Sequence, residues 1–142
     1  MILNINKPSG WSSFDVVKKI RNITKYKKVG HAGTLDPFAT GILIIGTGKD
    51  TKNLQKISSF YKTYDALLEL GKLTNTLDSE GEIVSISKVP KLTFEKIKLI
   101  LNSFLGVSNQ IPPMFSAKKY KGIRLYKLAR KGIEVNRIRN CF

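Results

Sequence analysis

The stretch Gly30-His31-Ala32-Gly33-Thr34-Leu35-Asp36-Pro37-Phe38-Ala39-Thr40-Gly41 runs without a break into Ile42-Leu43-Ile44-Ile45. Three glycines surround a single carboxylate and the only histidine of the chain. Pro37 disfavours helical geometry at Asp36 and pushes it towards an extended backbone. The isoleucine-rich run that follows, closed by Gly46, predicts a short, fully buried strand. A polar loop anchored on such a strand is where folds commonly hold functional side chains. The same residues permit a structural role, with Asp36 as a helix N-cap, Pro37 in the first helical position and Gly41 as the stop after one helical turn. Either role fixes where the carboxylate points.

A chain of 142 residues is long enough for one domain with a sizeable core. Its 25 Lys and Arg against 10 Asp and Glu leave a formal charge of +15, which predicts a polyanionic partner, nucleic acid first among them. An AT-rich gene would favour Lys over Arg, but it would not by itself deplete the acids. One cysteine, Cys141, excludes an internal disulfide, and one histidine excludes the usual Cys/His zinc sets. The opening residues have neither a charged leader nor a long apolar stretch, and nothing later could span a membrane, so a cytoplasmic protein is expected.

Taken in order, Ile2 to Ile5 predicts a strand that ends in the turn-rich Asn6-Lys7-Pro8-Ser9-Gly10. Ser12 and Asp15 have the spacing of a capping box, and Val16, Ile20 and Ile23 recur at helical spacing. Lys18, Lys19, Arg21 and Lys25 lie mostly off that face, either solvated or available to phosphate. Lys62 to Leu70 alternates, placing Tyr64, Ala66, Leu68 and Leu70 on one face of a strand. Tyr64 there suits a core aromatic or an active-site ring. Glu82 to Ser87 predicts another strand, and Thr93 caps a helix with Phe94, Ile97, Leu101 and Phe104 on one stripe and Gly106 as its stop. Ile111 to Ala117 enters a strand, with a turn at Lys121-Gly122. The sequence contains no internal repeat, low-complexity tract or linker. The expected class is α+β, with helices packed on a mixed, largely antiparallel sheet.

Two ligand motifs fail on spacing. Gly46-Thr47-Gly48-Lys49-Asp50 lacks the first glycine and the Ser or Thr of a phosphate loop, and Gly71 to Gly81 does not match a calcium loop. Between Lys118 and Lys131 basic residues alternate with Tyr120 and Tyr126, and no acid interrupts them. Arg124, Lys127 and Lys131 share one side of a short helix whose apolar side is Leu125, Leu128 and Ala129. Cations interleaved with aromatics suit an RNA backbone and its unstacked bases. Lys118, Lys119, Arg124, Lys127 and Lys131 are the backbone-contact candidates, with a solvated face as the alternative.

Four stretches, in order, resemble the TruB-type tRNA pseudouridine synthases. They are Asn6 to Gly10, the Gly30 to Gly41 loop, Lys62-Thr63-Tyr64 through Asp78, and Ile111 to Lys118 continuing to Val135. The similarity extends from about Ile5 to Arg137. It implies the pseudouridine synthase fold, in a truncated form: the N-terminal portion of a catalytic domain, without a separate C-terminal RNA-binding domain. It also implies isomerisation of the T-loop uridine at tRNA position 55, flipped out of its stack. By resemblance Asp36 is the nucleophile, Tyr64 the ring that stacks on the flipped base, and His31 a side chain placed against the T loop. Neither metal nor cofactor is implied; the T arm of tRNA is the expected partner of a monomer.

The chain departs from the family pattern in three places. Asn75 stands where an aspartate is common. The tail Ile138-Arg139-Asn140-Cys141-Phe142 diverges, and the chain stops before a Lys-Gly-Thr-Tyr-Ile-Arg-type motif whose arginine pairs with the aspartate in the family. A non-enzymatic tRNA-binding remnant, or a degraded gene product, is therefore the competing expectation.

Overall fold

The computed structural model describes residues 1–137 and the backbone of 140–141. The chain divides into two compact units, residues 1–65 and 66–142.

In the first unit, β1 (Ile2–Lys7), β2 (Val29–His31) and β3 (Gly41–Thr47) form an antiparallel sheet in the order β1-β3-β2. The register pairs Ile5 with Leu43, Lys7 with Gly41, and His31 with Ile45. Residues of the same parity share a face. Leu3, Ile5, Leu43, Ile45, Val29 and His31 therefore point the same way, and the helix α1 (Ser13–Thr24) covers them.

The capping box of α1 forms as its spacing predicts. Ser12 Oγ accepts from the Asp15 amide at 3.2 Å, and the Asp15 carboxylate accepts from the Ser12 amide at 3.0 Å. The buried side chains of α1 are Ser13, Val16 and Val17, with Ile20 packed on the same cluster. Ile23, expected on that stripe, is exposed. At 3.6 residues per turn the buried arc is centred on Ser13 and Thr24, and Ile23 lies roughly 80° from that centre. Burial of Val16, Val17, Leu43 and Ile45 contributes about 1.5–3 kcal/mol for each side chain. On the sheet's other face, α2 (Leu54–Ser58) follows a 3₁₀ helix at Gly48–Asn53. Leu54 lies over the paired Gly30 and Gly46, where a Cβ would come within 3.0–3.2 Å of its side chain and force it to shift.

The second unit has only short ladders. β4 (Lys72–Thr74) pairs with β5 (Ile83–Ile86), and β6 (Asn109–Gln110) pairs with β9 (Asn140–Cys141). β7 (Lys119–Tyr120) and β8 (Ile123–Arg124) form a hairpin through Lys121-Gly122, both at positive φ, as that turn requires. Thr93 caps α3 (Phe94–Asn102), and α4 (Leu125–Ala129) buries Leu125 and Leu128. Each described pairing is antiparallel, and the class is α+β.

One expected strand does not form. Residues 62–70 are irregular and exposed throughout, and among the described residues no segment pairs with them. Residues 111–117 lead into a strand as expected, but it begins only at Lys119, because Pro112 and Pro113 remove two adjacent donors and fix the backbone.

Candidate active-site loop and basic hairpin

Lys7 is the one lysine on the inward parity of β1, in line with Leu3 and Ile5, and it is fully buried. Such burial is costly unless each donor finds an acceptor. The Lys7 ammonium donates to the carbonyls of Trp11 at 2.6 Å, Pro8 at 2.9 Å and Pro37 at 3.1 Å, matching its three N–H groups. It thereby ties the Pro8–Trp11 turn to the residue that follows Asp36.

Other bonds fix the loop around it. The Gly10 amide also donates to the Pro37 carbonyl at 2.8 Å, and Ser9 Oγ donates to the Phe38 carbonyl at 3.2 Å. On the other side of Asp36, Ser13 Oγ accepts from the Leu35 amide at 2.9 Å and donates to the Leu35 carbonyl at 3.1 Å. The Ala32 amide reaches the Ile44 carbonyl at 2.9 Å. Gly33 and Gly41 bracket the loop at φ +107° and +121°, conformations that a side chain would strain.

These bonds overturn the helix-cap reading of Asp36. The residues after it make a single turn, with the Ala39 amide on the Asp36 carbonyl at 3.1 Å. The Pro37 and Phe38 carbonyls, which a helix would use, are held by Lys7, Gly10 and Ser9. The Asp36 side chain is exposed, and among the described residues no hydrogen bond or ion pair reaches its carboxylate. The result is a fixed backbone carrying a free carboxylate.

His31 lies at the end of β2, half-buried, with Nδ1 shielded from solvent and without a protein partner. Tyr64 belongs to the irregular segment and is 65% exposed, so it is not the core aromatic that the alternation permitted. The Gly46–Gly48 turn offers no phosphate cradle, since Leu54 fills the space over Gly46 and the Tyr26 ring lies on Gly48. Asn75 accepts from the Glu82 amide at 3.1 Å through its side-chain oxygen, a bond that an aspartate could equally accept.

In the second unit Lys119 and Arg124 stand on the β7–β8 hairpin and Lys127 on α4, with Lys118 just before the hairpin and Lys131 just after the helix. Lys119 and Arg124 stand directly opposite each other, a like-charge pair that weakens a ladder unless an anion screens it. Arg124 donates to the Ala117 carbonyl at 3.1 Å, while the Leu125 and Tyr126 amides bind the Lys118 and Ser116 carbonyls at 2.7 and 3.1 Å. These bonds fix α4 against the segment carrying Lys118. Lys118, Lys119, Arg124, Lys127 and Lys131 are exposed, and none forms an ion pair among the described residues. Arg130 and Lys121 lie 5.6 Å from the Tyr126 and Tyr120 ring centres.

Lys7 and Ser13 were not among the candidates read from sequence. The signal for Lys7 was its parity, a lysine in line with Leu3 and Ile5. No comparable signal marks Ser13, whose loop partner is 22 residues away.

Three comparisons complete the site. Residues 21–141 match the family model described as TruB family pseudouridylate synthase (N terminal domain). A tRNA pseudouridine synthase B of Dehalococcoides mccartyi is 54% identical over 137 residues, covering 96% of this chain and 46% of that protein. One from Clostridium novyi is 50% identical over 136 residues, with 96% and 47% covered. The chain thus spans about half the length of the curated relatives it matches. A solved structure, described as a Cbf5-Nop10-Gar1 complex, superposes with a TM-score of 0.54 at 31% identity over 83% of this chain and 30% of that one. The loop held by Lys7 and Ser13 lies in a chain that belongs to the TruB family of pseudouridylate synthases, in the region of its N-terminal domain.

Proposed function

We propose that this chain is the N-terminal portion of the catalytic domain of a cytoplasmic tRNA pseudouridine synthase, an isomerase acting as a monomer on the T-loop uridine at position 55. The observation that carries the reading is the Asp36 carboxylate, exposed and without a partner among the described residues, on a loop whose backbone is held on both sides. The names of the relatives support tRNA as the substrate class.

The reaction is internally balanced. The bond from the sugar to the uracil nitrogen breaks, the base turns, and a bond from the sugar to C5 forms. The C5 proton is lost and the freed nitrogen gains one, so no oxidant or reductant is consumed. Asp36 is the nucleophile, attacking the sugar or the base. A nucleophile gains from a fixed approach, and the bonds at Leu35, Pro37 and Phe38 supply it. Tyr64 stacks on the flipped base and His31 faces the T loop. Lys118, Lys119, Arg124, Lys127 and Lys131 bind the RNA backbone.

The test joins this chain to the remaining half of a related synthase and measures tritium release from C5-labelled T-arm RNA. Asp36→Asn should abolish turnover and leave RNA affinity nearly unchanged. Near-normal conversion by that variant would remove Asp36 from the nucleophile's role. Residues 1–142 expressed without that half should form no detectable pseudouridine, because the arginine that the family resemblance pairs with Asp36 lies outside the half of the relatives that they span. Activity from the chain alone would overturn that dependence.

A further inference from the structure

From Val16 to Leu35 the chain carries Lys18, Lys19, Arg21, Lys25, Lys27 and Lys28 and not one acid. Lys18 meets Asp15 at 3.8 Å, and no other lysine of this run forms an ion pair among the described residues. The helix ends at Lys25 in the left-handed region, φ 59°, where glycine or asparagine is ordinarily cheaper. The chain then turns through Tyr26, Lys27 and Lys28, all exposed.

That turn is built against the start of the 3₁₀ helix. The Gly48 amide donates to the Lys28 carbonyl at 2.8 Å. The Tyr26 ring lies on Gly48 so closely that a Cβ there would be 3.3 Å from the ring, yet 46% of Tyr26 remains exposed. Lys49 is next in the chain and exposed. Asp50, the nearest acid in sequence, is engaged by the N-terminal ammonium and the Asn53 amide group. An aromatic ring supported on backbone and flanked by Lys25, Lys27, Lys28 and Lys49 has the composition of a single-strand or loop contact in RNA.

We propose that this corner of the first unit is a second contact for the RNA backbone, separate from the Asp36 loop and from the basic hairpin, with Tyr26 as a stacking surface. It meets the sheet at the Thr47 end of β3, whereas the Asp36 loop is tied to the Gly41 end through Lys7. Six strand steps separate those ends, about 20 Å. An RNA using both contacts must therefore extend well beyond its target nucleotide. The inference rests on the RNA reading above, and the experiment separates the two.

The 142-residue chain is titrated onto a fluorescent T-arm hairpin RNA at several salt concentrations. The comparison is between wild type, a Lys25→Gln, Lys27→Gln, Lys28→Gln triple variant, and the same three positions changed to Arg. The Gln variant should bind about tenfold more weakly at low salt, with a salt slope shallower by about two, while the Arg variant keeps the wild-type slope. Rescue by Arg excludes a folding defect as the cause. A wild-type slope in the Gln variant overturns this proposal and leaves the RNA reading standing. Absence of binding by the wild-type chain overturns both. Tyr26→Ala should weaken binding and leave the slope unchanged; unaltered affinity would refute the stacking role.

Discussion

In residues 1–65 one helix covers a three-stranded sheet, and Val16, Val17, Leu43 and Ile45 disappear from solvent. In residues 66–142 no described ladder exceeds three residue pairs, and α3 buries no side chain. Both helices are amphipathic in sequence. The difference is that the apolar face of α1 meets the inward side chains of β1 and β3, whereas the stripe Phe94, Ile97, Leu101 and Phe104 stays exposed. A periodic apolar pattern supplies half of a core; the other half must be a second face in register with it. Among the described residues α1 has both and α3 has one, while α4 buries only Leu125 and Leu128.

This contrast predicts the largest effect for matched leucines. Leu43→Ala should destabilise the first unit by about 2–5 kcal/mol. Leu101→Ala, at a residue 61% exposed, should change stability by less than about 0.5 kcal/mol. Denaturant midpoints read both, and equal losses would break the comparison. Lys7→Met comes next. It removes the Lys7 donor from the Pro8 and Trp11 carbonyls and leaves Pro37 with the Gly10 amide alone, and should cost about 2–3 kcal/mol, with the Asp36 loop released first. Ser13→Ala removes both bonds to Leu35 for about 1–2 kcal/mol.

Much of this was legible beforehand, because local chemistry carries it. The capping box at Ser12 and Asp15, the Thr93 cap, the Lys121-Gly122 turn and the strand at Ile42–Ile45 each rest on neighbours in sequence. That strand buries Leu43 and Ile45 while Ile42 is 71% exposed, so the full burial expected of it is not met. What was not legible depends on distant partners. The 62–70 segment has strand alternation, but alternation does not supply a neighbouring strand. Asp36 has the residues of a helix cap, yet Lys7 and Ser9, about thirty residues earlier, hold the carbonyls a helix would need. The loop sequence marked the place of the candidate site, and the bonds that fix it came from the opening turn and α1.

The smallest effect concerns the capping box. The Ser12 hydroxyl and amide beside Asp15 hold its carboxyl below the ordinary value of 3.8. A carboxyl depressed in the folded state stabilises above its unfolded pKa, and that stability is lost as pH falls through the folded value. Stability should therefore decline below about pH 4 with a contribution that Asp15→Asn removes. An identical acid profile in that variant would place the loss elsewhere.

Amide hydrogen exchange on the 142-residue chain tests the central claim most directly, that the first unit by itself fixes the backbone around Asp36. The amides of Gly10, Ala32, Leu35 and Ala39, each bonded within that unit, should exchange slowly along with those of β3. Those of α3 should exchange about a hundredfold faster, since that helix opens without exposing a core. Loop amides exchanging as fast as those of α3 would contradict the account.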